Sequence, residues 1–513
     1  MHGAGPDLAP QRGSERFGMT SWHDTVLIVY FALLGLLSIY GAHRYALMYL
    51  YYRHKNDNPT PKQRFGEPPR VTIQLPLFNE ATVVERLLDA VAKLHWPADR
   101  LDIQVLDDST DETQELARRK VAELRARGVD ITYLHRVDRK GFKAGALAAG
   151  MQSAKGEYIA IFDADFLPEP DTLERTVDFF TDPKIGMVQV RWGHLNRDYS
   201  VLTRLQSMLL DGHFVIEHTA RNRSGRHFNF NGTGGIWRRA AIEAAGGWQH
   251  DTLTEDLDLS YRAQMRGWQF VYLRDFTAPG ELPVEMTAFK AQQHRWAKGS
   301  IQTGLKVLPS LWKSDLTFKV KSEATFHLTA NLSYLLMLAM CLLMLPALIA
   351  RLAEPERLRS ELFDWSVFVL ATASVLSFYV AAQREIDPHW RRGLRFLPGV
   401  LALGIGLAVN NARAVIEALC SYETPFVRTP KYDITDSQRR AVAPKRRYKS
   451  LAGLMPFVEI AFGFYMLAIV WVGLQHQIWM VVFFMTLFAA GFFYVGFGSL
   501  LSGRSFRRVA AAS

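Results

Sequence analysis

Two aspartates, Asp163 and Asp165, follow directly on an apolar run at residues 158–162. That run reads as a buried strand of a parallel sheet. While the chain stays extended, side chains repeat every second residue, so the two carboxylates share one face. Side by side at the open end of a strand, they repel each other unless a cation lies between them. A divalent metal, Mg2+ or Mn2+, carrying a nucleotide diphosphate suits such a pair, because it takes hard oxygen ligands and completes its shell with phosphate and water. Aspartate is also common in the turn that ends a strand, and Pro168 and Pro170 end this one.

Other clusters carry compatible chemistry. Asp107-Asp108 closes another strand, where carboxylates either accept from ribose hydroxyls and base N–H groups or form an Asx turn. Asn79 and Glu80 open a helix after a further strand. Lys143 sits in a glycine-bracketed turn before a helix, placed to touch a diphosphate or simply to be solvated. In the loop around Phe230, Asn231, Gly232 and Thr233, aromatics alternate with small residues. Flat apolar platforms with close backbone approach suit a sugar ring, and also an ordinary glycine-rich turn. Thr254-Glu255-Asp256 begins a helix. Such residues are good N-cap and first-turn choices, and Asp256 is equally suited to deprotonate an acceptor hydroxyl, the helix dipole keeping it ionised. Finally, Gln292, Arg295 and Trp296 share a helix face at i, i+3 and i, i+4. Tryptophan offers a stacking surface for a glycan end, and arginine neutralises a leaving diphosphate; a Trp–Arg pair also fits a membrane-interface anchor.

The elements that must position these residues alternate strand and helix. Strands are predicted at residues 71–75, 101–106, 131–135 and 158–162, with helices to about residue 94, over 111–127 and to about 152. That alternation argues a doubly wound parallel sheet with ligands at the carboxyl ends of its strands. Asn79, Asp107, Asp108, Asp163 and Asp165 all fall at such ends.

The 513-residue chain is too long for one ordinary core. Its net charge of +10 could suit nucleic acid, but much of the excess flanks apolar spans, where the positive-inside rule places it, so a bilayer rather than nucleic acid is the expected partner. Two cysteines, Cys341 and Cys420, are too few for a disulfide framework. Residues 1–23 read as disordered, 24–50 as a transmembrane helix, and 51–308 as a cytoplasmic α/β domain. Residues 309–419 read as a membrane region, 420–450 as a basic cytoplasmic loop, and 451–513 as two transmembrane helices with a short basic tail. Within 309–419, about 328–350 and 365–382 cross. Segment 397–419 carries Asn410, Asn411, Arg413 and Glu417. A central arginine in lipid costs about 2.5–3.5 kcal/mol on insertion scales, so this segment is read as an amphipathic helix at the cytoplasmic interface. The loop after it then stays on the cytoplasmic side with its eight lysines and arginines against three acids.

Taken in order, D-D, D-x-D, T-E-D and Q-x-x-R-W resemble the family 2 glycosyltransferases of the membrane-embedded, processive type, closest to cellulose synthase-like A and C proteins, over roughly residues 70–435. The matching text includes Gln104-Val-Leu-Asp-Asp-Ser-Thr-Asp111, Phe162-Asp-Ala-Asp-Phe166, Phe230-Asn-Gly-Thr233 and Gln292-Gln-His-Arg-Trp296. The resemblance implies a GT-A α/β domain inserted between transmembrane helices. It assigns the nucleoside to Asp107 and Asp108, the metal–diphosphate to Asp163 and Asp165, the base to Asp256, and the acceptor end to Gln292, Arg295 and Trp296. It further implies a gating loop, matched here by Phe426, Thr429 and Lys431, with Arg428 in place of a valine and Pro430 stiffening the loop. The expected reaction is inverting transfer of a hexose from a UDP- or GDP-sugar to a growing β-linked glucan or mannan, with translocation across an inner or Golgi-type membrane. The rival expectations are a glycolipid synthase making a single transfer and a non-catalytic export scaffold.

Overall fold

A computed structural model describes residues 22–353, 369–422, 428–436 and 453–510. Its centre is one seven-stranded sheet: β1 (Val71–Leu77), β2 (Leu101–Asp107), β3 (Ile131–His135), β4 (Tyr158–Ile161), β5 (Ile185–His194), β6 (Gly235–Arg238) and β7 (Gln269–Gly280). The spatial order is β3-β2-β1-β4-β6-β5-β7. β1 is flanked by parallel partners, with Val71 opposite both Leu101 and Tyr158, so the carboxyl ends of β1, β2 and β4 emerge at one edge.

The wholly parallel sheet read from the sequence is in fact mixed. β6 runs antiparallel between β4 and β5, with Gly235 opposite Ile161 and Gln189. The reversal matters for the site. β6 starts beside the end of β4, so the loop around Phe230–Thr233 that feeds it lies at the same edge as Asp163. The next strand, β5, returns toward this edge and β7 pairs with it in parallel.

Both faces of the sheet are buried, which is why β4 is a continuous apolar run rather than an alternating one. Tyr158, Ala160 and Phe162 join one core layer with Ile73, Leu87 and Val105. Ile159 and Ile161 face the other, with Leu147, Phe230 and Trp237.

Among the described residues, five helices are long and apolar enough to cross a membrane: Trp22–His54, Leu332–Ala353, Trp390–Leu419, Met455–Gln475 and Trp479–Ser502. The span predicted at 365–382 is described from residue 369, as a π turn at Val369–Ala373 continuing into the helix Ser374–Ile386, and is not among the five. Segment 397–419 is two helices, Leu397–Gly406 and Ala408–Leu419. Asn410, Asn411 and Glu417 are buried against protein. Asn410 Nδ2 donates to the Lys290 carbonyl at 3.0 Å, and Glu417 is 3.0 Å from His294 Nε2 and 3.4 Å from Lys298 Nζ. These partners lie on the helix Met286–Lys313, which carries the Q-x-x-R-W residues.

Candidate active site

A cavity opens at the carboxyl edge of the sheet, lined by Asp163, Asp165, Asp256 and Trp296 among others. The acid pair reaches it by a different local geometry from the one predicted. β4 stops at Ile161, and the chain then turns, the Phe166 N–H donating to the Asp163 carbonyl at 3.0 Å. The face-sharing argument for an extended chain therefore does not apply; the turn brings both carboxylates to the cavity. Thr233 Oγ1 fixes the start of that turn by accepting from the Asp163 N–H at 2.9 Å.

Each acid carries an ammonium. Lys143 Nζ donates to Asp163 Oδ1 and, at 2.9 Å, to the Gly232 carbonyl. Lys431 Nζ donates to Asp165 Oδ2 and, at 2.8 Å, to the Glu281 carbonyl. The repulsion expected between the two carboxylates is thus relieved by lysines from separate parts of the chain. Burial draws the Lys143 pKa down, but Asp163, Glu255 and Asp256 outweigh it and hold the ammonium above its ordinary range. Among the described residues there is no cluster of three or more His, Cys, Asp or Glu side chains able to hold a metal. Two convergent carboxylates, with phosphate completing the shell, nonetheless form a suitable donor set for Mg2+ or Mn2+.

Asp256 sits at the start of the helix Glu255–Met265, with Oδ1 accepting from the Leu257 N–H at 2.8 Å. Its pKa is not lowered by the helix terminus as predicted. Burial, with Glu255 beside it, pushes the carboxyl up to about 7 against the opposing pull of Lys143. Gly232 lies against it. With φ at +82°, a Cβ built there would meet Asp256 Oδ2 at 3.1 Å and Lys143 Nζ at 3.3 Å. Both the backbone conformation and the contact therefore call for glycine. Thr254 and Glu255 line the cavity too. Thr254 Oγ1 makes no cap bond to the helix and lies 3.3 Å from Thr303 Oγ1.

Gln292, Arg295 and Trp296 all line the cavity. The Trp296 ring lies 6.4 Å from that of Trp192. Asn231 and Gly232 also line it, whereas two neighbours in the same loop do not. Phe230 is wholly buried edge-on to Trp237 at 5.7 Å, and Thr233 is buried beneath the Asp163 turn, so these two support the loop from below.

The D-D pair divides in the same way. Asp108 lines the cavity and is held by Arg136, Nε to Oδ1 at 2.8 Å and Nη2 to Oδ2 at 2.6 Å. Asp107 is fully buried, accepting from the Ser109 N–H at 2.9 Å and the Tyr133 hydroxyl at 2.6 Å. Asp107 is thus a strand-end turn former and not a wall of the cavity. Asn79, with φ at +57°, ties two loops together by accepting from the Thr110 N–H at 2.8 Å and also stands outside the lining.

Of the gating residues, Phe426 lies outside the described residues, while Thr429 and Lys431 line the cavity. Arg428, where the family pattern has valine, donates to Glu80, with Nε to Oε1 at 2.9 Å. Burial pushes the Glu80 carboxyl up to about 7 even so. The following backbone is cradled by Glu281, whose carboxylate accepts from the N–H groups of Tyr432 at 2.8 Å, Asp433 at 3.1 Å and Ile434 at 3.3 Å. Sequence reasoning missed Glu281, as well as Trp192, His194 and Arg139, whose guanidinium lies 3.3 Å from the centre of the Phe78 ring. The end of β5, Arg191-Trp-Gly-His194, carried a legible aromatic and basic signal, but β5 itself was unassigned. Glu281 carried none, since its carboxylate acts on backbone 151 to 153 residues further along.

Residues 68–299 match the family described as glycosyltransferase like family 2. Glucomannan 4-beta-mannosyltransferase 1 of Oryza sativa subsp. japonica is 44% identical over 268 residues, 51% of this chain and 51% of that one. Glucomannan 4-beta-mannosyltransferase 2 of Arabidopsis thaliana is 47% identical over 236 residues, 45% of this chain and 44% of that one. The chain thus spans about half the length of the curated relatives it matches. A solved mannosyltransferase from Pyrobaculum calidifontis, in complex with GDP-Man and Mn2+, aligns over 78% of this chain and 100% of its own at 22% identity and TM-score 0.49, a likeness too remote to argue from. The chain therefore carries, at residues 68–299, a family 2 glycosyltransferase-like domain built on a GT-A-type mixed sheet.

Proposed function

We propose that this chain is an inverting, processive membrane hexosyltransferase that transfers mannose from a nucleoside-diphosphate sugar, GDP-mannose first among candidates, to the end of a growing β-1,4-linked glycan. The activity of its relatives, 4-beta-mannosyl transfer, supports the sugar and the linkage. The observation that carries the mechanism is one junction: Lys143 bridges Asp163 and the Gly232 carbonyl while Gly232 lies against Asp256. Donor anchor, sugar loop and base thus converge on one point of the cavity.

On this reading Asp256 accepts the proton of the acceptor hydroxyl as that oxygen bonds to the anomeric carbon. The bond from that carbon to the diphosphate oxygen breaks, and its electron pair leaves with the diphosphate. Single displacement inverts the anomeric centre. A carboxyl with a pKa near 7 suits the base role, because a proton acceptor works best when its pKa is close to the working pH. Asp163 and Asp165 would hold a divalent cation, which when bound neutralises charge on the diphosphate. Lys143, Lys431 and Arg295 line the same side and supply further positive charge. Asp108 with Arg136 borders the nucleoside end, and Trp296 with Trp192 offers the acceptor its stacking surface. Residues 428–431 form the lid. The apolar helices anchor the domain on the cytosolic face of an inner or Golgi-type membrane and carry the product outward, consistent with the basic segments flanking them.

The test is a donor panel on the full-length protein in lipid nanodiscs with Mg2+ or Mn2+. UDP- and GDP-hexoses are scored for nucleotide release, and products for linkage and length. GDP-mannose giving a β-1,4-linked polymer is the expected result. A single sugar on lipid would replace the reading with glycolipid synthesis, and no nucleotide release from any donor would overturn it.

A further inference from the structure

Asn231 lines the cavity next to Gly232, and its side-chain amide is bracketed by two histidines. Asn231 Nδ2 is 3.2 Å from His213 Nε2, and Asn231 Oδ1 is 2.6 Å from His218 Nε2. Five residues apart on an α-helix, these histidines would point about 140° away from each other. Here they lie on a π-helix, Gly212–His218, whose i→i+5 repeat brings such positions onto one side. Their ring centres are 4.2 Å apart. The irregular turn is therefore the device that aims both rings at one amide.

The hydrogen bonds have a forced direction. Glu217 Oε2 lies 3.0 Å from His213 Nδ1 and 3.0 Å from Arg221 Nη1. Burial acts to raise the Glu217 pKa, but Arg221 and His213 outweigh it and keep the carboxylate ionised, so it can only accept. As a neutral imidazole His213 must then carry its proton on Nδ1, leaving a lone pair on Nε2. Asn231 must offer its N–H to that lone pair, which turns Oδ1 toward His218, and His218 Nε2 must donate. The anchor continues outward. Arg221 Nε donates to Glu323 Oε1 at 2.9 Å, and Glu323 Oε2 meets His43 Nε2 at 2.9 Å on the first apolar helix, Trp22–His54. The His43 ring stacks on Phe326 at 4.3 Å.

We infer that His213 and His218 are positioning residues for the transfer reaction: they fix which way the Asn231 amide faces, so that one N–H and one oxygen lone pair are presented to the terminal sugar of the acceptor beside Asp256. The relay ties that amide to the first apolar helix, so the acceptor end is registered against the membrane part of the chain. This rests on the function proposed above.

The test uses the full-length protein in nanodiscs with GDP-mannose and a β-1,4-mannotetraose acceptor. Initial rates against acceptor concentration are compared with nucleotide release in the absence of acceptor, which uses the donor site and water alone. His218→Leu should raise the acceptor KM about tenfold, the effect of one lost orienting hydrogen bond, with donor hydrolysis within about twofold of wild type. His218→Gln keeps an N–H donor and should recover most of the KM. Because His218 acts only through Asn231, adding His218→Leu to Asn231→Ala should change KM no further. An unchanged KM in His218→Leu, a parallel fall in transfer and hydrolysis, or additivity of the two substitutions would overturn the inference alone. Absence of transfer by the wild type with every donor would sink the underlying function and this inference together.

Discussion

Replacing Asp256 with asparagine tests the proposed chemistry most directly. The substitution is isosteric. Asparagine Oδ1 can still accept from the Leu257 N–H, so the helix start is preserved. Lys143 loses one of three nearby carboxylates but keeps Asp163 and the Gly232 carbonyl, so the donor side of the cavity stays charged and shaped as before. What is lost is the proton acceptor. General-base removal typically costs on the order of 10²–10⁴-fold, or about 2.7–5.4 kcal/mol of barrier. We expect Asp256→Asn to lose nucleotide release and polymer formation by that factor while binding the nucleotide diphosphate within about threefold of wild type by calorimetry. The pH profile supplies a second measurement. With a pKa of about 7, the carboxylate fraction rises from about one tenth at pH 6 to about nine tenths at pH 8, so wild-type kcat/KM should climb roughly tenfold between those values. Removing the adjacent negative charge with Glu255→Gln stabilises the ionised form and should move that rise to lower pH. Asp256→Asn turnover within tenfold of wild type, or a wild-type rate flat from pH 6 to 8, would refute the base assignment.

Three further outcomes follow from the geometry. Gly232→Ala places a methyl 3.1 Å from Asp256 Oδ2 at a left-handed backbone position; it should lower turnover at least tenfold and cost about 1–2 kcal/mol of stability, read by steady-state kinetics and thermal unfolding. Lys431→Met frees Asp165 of its ammonium, so the Mn2+ concentration giving half-maximal nucleotide binding should fall severalfold in a fluorescence titration; a rise would show that the lysine aids the cation rather than competing with it. Chelation of divalent cations should abolish nucleotide release and Mn2+ or Mg2+ should restore it in wild type, but not in Asp163→Asn or Asp165→Asn.

The first half of the sheet was legible because buried parallel strands write themselves as apolar runs. β4 puts Tyr158 and Ala160 in one layer and Ile159 and Ile161 in the other, and no polar residue interrupts it. Strand direction has no such signature. β6 is four residues long, and nothing in Gly-Ile-Trp-Arg says that it runs against its neighbours; only its entry beside the end of β4 does. Segment 397–419 shows the same limit from the other side. Its asparagines and glutamate called for polar partners, but a polar face can be satisfied by water, headgroups or protein alike. The answer depended on Lys290, His294 and Lys298, more than a hundred residues earlier.

At the site, the positions of the acids were readable and their orientations were not. Parallel strands deliver their carboxyl ends to one edge, so a sequence with acids at several strand ends announces where the chemistry gathers. Asp107 is the last residue of β2 and Asp108 the first beyond it, however, so spacing alone does not say which way either points. The structure gives Asp108 to the cavity and Asp107 to Tyr133 and Ser109. The same electrostatic rule that called for a cation between Asp163 and Asp165 is met by Lys143 and Lys431, which a local reading could not have paired with them. Lys431 comes from the segment 428–436, 266 residues beyond the acid it touches. On the proposed function an ammonium and a divalent cation compete for the same Asp165 oxygen, which would couple the contact from residues 428–431 to cation loading by charge. Arg428, which departs from the family pattern, adds a second contact from the same segment to a carboxyl, Glu80, whose pKa burial raises to about 7. The Arg428–Glu80 ion pair should therefore be complete only as pH rises above 7 and Glu80 ionises, in the same range where Asp256 becomes a competent base.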